Sequence, residues 1–238
     1  MKDIPLDQRI IFALDVDSVG LAKEWVQRLE SHIKFYKVGL QLFLAGWFPI
    51  VEWIAERNHK VMVDLKFFDV PETVKLAVRQ LQGRGVTFAT VHGNDPILRA
   101  AVEAKGEVKI LAVTVLTSFG QEDMEEIFGA PVNIADLVYL RARRALSLGC
   151  DGVVSSGLEA ERLRSELGDR FFVVTPGIRP GINREIDQDD QKRIVTAGMA
   201  IADGADHLVV GRPISTASDP ISVVEAMQKD ILKALPSG

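Results

Sequence analysis

The 238-residue chain has a single cysteine, Cys150, so no disulfide can form within it. That excludes a disulfide-stapled scaffold and fits a reducing compartment. Cys150 precedes the apolar run Gly152-Val153-Val154 with no activating motif beside it, and reads as a small buried residue rather than a nucleophile. No run approaches the roughly 18 apolar residues of a membrane span. The start, Met1-Lys2-Asp3-Ile4-Pro5, lacks the apolar region of a secretory signal. These absences read as a cytoplasmic protein with no membrane partner. Positive charge is not in excess either. The net charge is -5, with acids and bases mixed along the chain, which gives no support for nucleic-acid binding. The histidines His32, His59, His92 and His207 are scattered and form no His-x-x-x-His pair, so no metal site stands out. No glycine fingerprint follows the first apolar run, because Leu14-Asp15-Val16-Asp17 is not a dinucleotide turn.

What is present is a regular alternation. Hydrophobic residues make up 47% and charged residues 26%, the balance of an ordinary globular protein. Short β-rich runs are expected at Ile10–Val16, Phe35–Leu40, Lys60–Lys66, Phe88–His92, Ile110–Leu116, Gly152–Ser155, Phe171–Thr175 and His207–Val210. Helical patterns separate them; Ser18 reads as an N-cap, and the stretch after the fifth strand is interrupted around Gly129-Ala130-Pro131. Eight strands alternating with helices imply a parallel sheet. At this length and without a linker, a (β/α)8 TIM barrel forming one α/β domain over residues 1–238 is the simplest solution, with a doubly wound open sheet as the fallback. One connection, Gly177 to about Arg193, is long, polar and rich in Gly, Pro and Asp. Such connections often serve as binding loops, and a variable surface loop is the plain alternative.

Barrel sites gather at the C-terminal ends of the strands. There the sequence places Asp15, Lys37, Asp64, Lys66, His92, Thr117, Ser118, Pro176, Arg179, Gly211 and Arg212. Asp64 and Lys66 are two apart on a strand and are expected to share a face, with Asp69 in the turn beyond. Two acids and a base at one strand end are costly to bury unless they pair. On that stretch alone, a structural salt bridge and a catalytic group are equally open. Gly211 and Arg212 follow the eighth strand, where such barrels often bind phosphate. Arg212 offers a planar fork for it, although Gly-Arg also opens ordinary helices. Asp15 and Asp64 could hold Mg²⁺, but Lys37 and Lys66 beside them oppose that by repulsion.

The motifs together resemble one family. Asp64-Leu65-Lys66-Phe67-Phe68-Asp69-Val70-Pro71-Glu72-Thr73 resembles the Asp-x-Lys-x-x-Asp-(Ile/Val)-Pro-x-Thr signature of the orotidine 5′-monophosphate decarboxylases. Ala13-Leu14-Asp15, Tyr36-Lys37-Val38-Gly39, Val113-Thr114-Val115-Leu116-Thr117-Ser118, Thr175-Pro176-Gly177-Ile178-Arg179-Pro180 and Val210-Gly211-Arg212-Pro213-Ile214 are similar to its other strand-end motifs, in order. The resemblance implies a (β/α)8 homodimer that converts orotidine 5′-monophosphate to uridine 5′-monophosphate without metal or cofactor. It implies an alternating network of Lys37, Asp64, Lys66 and Asp69, with Lys66 as proton donor and with Asp69 and Thr73 supplied across the dimer interface. Asp15, Lys37 and Thr73 would contact ribose, Thr117 and the backbone near Pro176 the pyrimidine, and Arg179, Gln191, Gly211 and Arg212 the phosphate. The pattern departs at Thr196-Ala197, where the family usually has Thr-Pro, and Gln188 competes with Gln191. Related sugar-phosphate decarboxylases and synthases share Asp-x-Lys-x-x-Asp but use Mg²⁺ and carry a Glu where this chain has Lys37. A catalytically silent phosphate-binding barrel would leave the four-residue network unexplained.

Overall fold

Eight parallel strands close into a barrel in the computed structural model, which describes residues 2–180 and 193–235. The barrel strands are β1 (Ile10–Ala13), β2 (Phe35–Gly39), β3 (Lys60–Phe67), β4 (Val86–Val91), β5 (Lys109–Val113), β6 (Gly152–Val154), β7 (Phe172–Thr175) and β10 (His207–Val210). Each pairs with its sequence neighbour, and β1 pairs with β10 to complete the ring. The expected alternation is therefore present as a (β/α)8 barrel. Most of the expected strands run past the observed ends by one to three residues, because the last residues of each run leave the ladder for the mouth.

The helices are α1 (Leu6–Arg9), α2 (Val19–Leu29), α3 (Leu40–Glu56), α4 (Pro71–Arg79), α5 (Asp95–Ala104), α6 (Gln121–Phe128), α7 (Ile134–Ser147), α8 (Gly157–Leu167), α9 (Ala197–Ala202), α10 (Arg212–Ser215) and α11 (Pro220–Ala234). Ser18 caps α2 by accepting from the Leu21 amide, and α6 ends on Gly129 in the left-handed region before α7. Among the described residues, no helix is long and apolar enough to cross a membrane.

One pairing lies outside the expected set. Strands β8 (Ile178–Arg179) and β9 (Val195–Thr196) form a two-stranded parallel ribbon, with Ile178 opposite Val195 and Arg179 opposite Thr196. The middle of the long connection, residues 181–192, lies outside the described residues, and Gln188 and Gln191 with it.

Apolar side chains sort into two layers. The larger packs the outer strand faces against the helices, through Leu29, Ile50, Val78 and Leu163 among others. The smaller fills the barrel interior with Ile11, Phe35, Met62, Phe88, Leu111, Val113, Val154 and Val174. Burying so many branched and aromatic groups is the main drive to this closed form.

His207 joins the lower interior. Its ring lies 5.3 Å from Phe35 and 5.4 Å from Phe88, and Nδ1 donates to the Gln8 carbonyl at 2.8 Å. Burial pushes its pKa down to about 4, against the opposing effects of the carbonyl and Asp206. A folded-state pKa below the unfolded value gives stability that is present above about pH 6.5 and lost as pH falls towards 4. The expected loss through this group is about 3 kcal/mol. Urea unfolding across that range should show it, and His207→Phe should flatten it. Parallel pH profiles for the two proteins would remove His207 as the cause.

A second buried device closes the same end. Asp206 is almost fully buried, and its Oδ2 accepts from Arg164 Nη2 at 2.5 Å, Lys2 Nζ at 3.1 Å and the Val173 amide at 2.9 Å. Arg164 also donates to the carbonyls of Gly204 and Phe171. Helix α8, the amino-terminal residues and strand β7 thus meet on one carboxylate.

Candidate active site

The strand ends converge as the barrel demands. A cavity of about 490 Å³ opens at the C-terminal mouth, and Asp15, Lys37, Asp64, Lys66, Thr117, Pro176, Arg179, Gly211 and Arg212 line it. With Ser118, ten of the eleven strand-end residues singled out from sequence therefore line one cavity. Asp69 and Thr73 do not line this cavity; both are exposed on the turn into α4 and its first residues. Asp69 Oδ1 accepts from the Val70 amide at 2.6 Å.

Within one chain the charges run Asp15, Lys37, Asp64, Lys66. Lys37 Nζ lies 2.9 Å from Asp15 Oδ1 and 3.5 Å from Asp64 Oδ2. Lys66 Nζ lies 2.9 Å from Asp64 Oδ1. The lack of a side chain at Gly39 makes room for the first pair, since a Cβ there would stand 3.1 Å from Lys37 Nζ and 3.2 Å from Asp15 Oδ1.

Burial disfavours the charge on Lys37, but attraction to Asp64 and Asp15 outweighs it and holds its pKa above the ordinary lysine value. Burial likewise opposes the Asp64 anion, and Lys37, Lys66 and the Thr90 hydroxyl overcome it, holding its pKa below the usual carboxylate value. Both groups thus stay charged around neutral pH. The Lys66 side chain is 37% exposed and the Asp64 side chain only 12%, so the ammonium is the more open to a ligand.

Lys66 reaches its position by an irregular route. Simple alternation along β3 fails after Val63: the register with β4 goes from Val63–Ala89 directly to Phe67–Val91. Lys66 itself has φ 47°, a left-handed conformation costly for a residue with a long side chain. Its amide donates to Thr90 Oγ1 at 3.0 Å, and that hydroxyl donates to Asp64 Oδ1 at 2.9 Å. Thr90 is fully buried and was not among the expected site residues. Its one signal in the sequence is a hydroxyl on the otherwise apolar end of β4.

Two arginines also line this cavity. Arg179 on β8 is buried, and its Nη1 donates to the Ile178 carbonyl at 2.8 Å. Arg212 opens α10 directly after β10. Thr117, on the loop after β5, is buried at the wall of the same cavity.

Two other singled-out residues lie apart. His92 lines a neighbouring cavity with Phe68 and Arg141, and burial with the nearby Arg141 charge lowers its pKa. Cys150 is buried and its thiol is pushed up to about 12, which makes it a poor nucleophile.

Comparison with known proteins gives a consistent answer. Residues 8–227 match the family described as Orotidine 5′-phosphate decarboxylase / HUMPS family. An orotidine 5′-phosphate decarboxylase of Methylococcus capsulatus is 52% identical over 238 residues, covering 100% of this chain and 97% of the relative. One from Rhodopseudomonas palustris is 47% identical over 233 residues, covering 97% of each. The crystal structure of orotidine 5′-phosphate decarboxylase from Lactobacillus acidophilus is similar with a TM-score of 0.78 and 32% identity, over 94% of this chain and 98% of that one.

Proposed function

Since the chain belongs to the Orotidine 5′-phosphate decarboxylase / HUMPS family, we propose that it is a carbon–carbon lyase converting orotidine 5′-monophosphate to uridine 5′-monophosphate and CO₂, the last step of de novo pyrimidine synthesis. The observation that carries this reading is the Lys37–Asp64–Lys66 network at the wall of a cavity that also holds Arg179 and Arg212.

The substrate's phosphate binds Arg179, Gly211 and Arg212, with Gln191 contributing from outside the described residues. Asp15 and Lys37 take the ribose, and Thr117 with the backbone at Pro176 holds the pyrimidine. The carboxylate then faces Asp64, whose charge is fixed by its two lysines. Repulsion between the two anions is relieved as the C6–carboxylate bond breaks and CO₂ departs. The electron pair left at C6 is stabilised by the Lys66 ammonium, which donates its proton there and later regains one from solvent. Phosphate lies away from the reacting carbon, so its binding energy can hold the base against the charged network.

The active unit in this reading is a homodimer. The exposed positions of Asp69 and Thr73, outside their own cavity, suit their delivery to a second copy's site. There Asp69 would extend the alternation beyond Lys66, and Thr73 would meet the ribose. Residues 1–238 act as one domain in the cytoplasm, with no metal and no organic cofactor. A divalent ion at Asp64 would stand beside two lysine ammonium groups, which disfavours it.

The test is loss of orotidine 5′-monophosphate absorbance with purified protein, in EDTA and then in Mg²⁺. Equal rates with uridine 5′-monophosphate as product are expected. Activity that appears only with Mg²⁺ would overturn the metal-free reaction; no activity in either, from folded protein, would shift the assignment to the sugar-phosphate branch or to a silent binder, and 3-keto-L-gulonate 6-phosphate with Mg²⁺ would be tested next.

A further inference from the structure

An ion pair buried behind the cavity has no role in the chemistry above. Arg193 and Glu159 are both more than nine-tenths buried, and Arg193 Nη1 donates to Glu159 Oε1 at 2.5 Å. Arg193 Nη2 is 3.3 Å from both the Val115 and the Leu116 carbonyls, on the loop after β5. Ser155 Oγ donates to the other Glu159 oxygen at 3.3 Å, and Ser156 Oγ reaches the Arg193 carbonyl at 3.5 Å. A Cβ at Gly157 would stand 2.4 Å from Val195, so β9 lies directly on the start of α8.

A buried pair of this kind is weak as a source of stability, because desolvation offsets its attraction. Its geometry has another consequence. Two residues beyond Arg193, β9 begins, and β9 pairs with β8, which carries Arg179. One residue beyond Leu116 stands Thr117. The guanidinium therefore bridges the segment holding Arg179 and the segment holding Thr117, with Glu159 as the fixed post between them.

We propose that Arg193 is a positioning residue: with Glu159 it sets the distance between the phosphate end and the pyrimidine end of the cavity, so that one nucleotide can engage both. It touches no substrate atom. The assignment of Arg179 and Thr117 to those two ends rests on the function proposed above. Without the tie, each end still forms, but a ligand that spans them gains less from its phosphate.

The test compares inhibition by uridine 5′-monophosphate with inhibition by uridine, which lacks the phosphate. In Arg193→Met the advantage of the nucleotide over the nucleoside is expected to fall roughly 30-fold, as for loss of charge-assisted hydrogen bonds. KM for orotidine 5′-monophosphate should rise with it, and uridine inhibition should change less than about threefold. Arg193→Met leaves Glu159 buried without its partner and can fail to fold. The double variant Arg193→Met, Glu159→Gln removes both charges, and should fold while still losing the nucleotide advantage. An unchanged advantage in the folded double variant, or equal weakening of both inhibitors, overturns the proposal. A wild-type protein that neither decarboxylates the substrate nor binds uridine 5′-monophosphate would instead defeat the function itself.

Discussion

Lys66→Ala is expected to lower kcat for decarboxylation by about 10⁴-fold or more, since it removes both the proposed proton donor and the cation that would face the developing charge. Binding of uridine 5′-monophosphate should change by less than about tenfold, because phosphate and ribose contacts carry most of it. The geometry supports that division. Among the described residues, Lys66 Nζ is tied to the single carboxylate of Asp64, whereas Lys37 is held by Asp15 and Asp64 together. Truncation at residue 66 therefore leaves Lys37 to hold Asp64 in place. Single-turnover absorbance and calorimetry with the product nucleotide separate the two effects, and near-normal turnover would sink the assigned role. Mixing Lys66→Ala with Asp69→Ala carries the test further. If Asp69 serves the neighbouring subunit, exchanged dimers contain one site with both residues intact, and activity returns. No recovery after proven subunit exchange would confine Asp69 to its own chain.

The second large effect falls on stability. Asp206→Ala is expected to cost about 3–5 kcal/mol, the usual range when one partner of a buried ion network is removed. Arg164 would lose its carboxylate, the Val173 amide its acceptor, and Lys2 the carboxylate it bonds. Burial already pulls the Lys2 pKa below its ordinary value, with Asp206 opposing that shift. The melting temperature should fall by roughly 10 °C. Asp206→Asn, which keeps an acceptor for Arg164 or Val173, should fall less. A shift under about 2 °C for the alanine variant would show that the three partners left behind find water instead.

These two sites differ in how readily the sequence discloses them. Alternation of apolar runs with helical patterns was sufficient for the barrel, because strand burial on both faces leaves an unbroken apolar signature. Strand-end position was sufficient to gather Lys37, Asp64, Lys66, Arg179 and Arg212 at one mouth. The path of the chain at Lys66 was not legible. A residue in the left-handed region opposite a register shift is decided by Thr90, 24 residues away, and by the rest of β4 around it. Asp206 was missed for a related reason. An aspartate before an apolar strand looks like loop chemistry until Arg164 and Lys2, 42 and 204 positions distant, close upon it. The β8–β9 ribbon was hidden because two-residue strands carry no periodicity.

The packed interior beneath the site sets the traffic of the reaction. Phe35, Phe88, Met62 and Leu111 are at most 1% exposed and His207 2%, so the cavity is a blind alley. In the proposed reaction, substrate, carbon dioxide and nucleotide would all use the same doorway. In that reaction a small neutral gas could slip past a nucleotide whose phosphate is still held by Arg179 and Arg212, whereas the nucleotide would have to release that grip first. Departure in that order, gas and then nucleotide, would make uridine 5′-monophosphate a competitor of the incoming substrate for one opening.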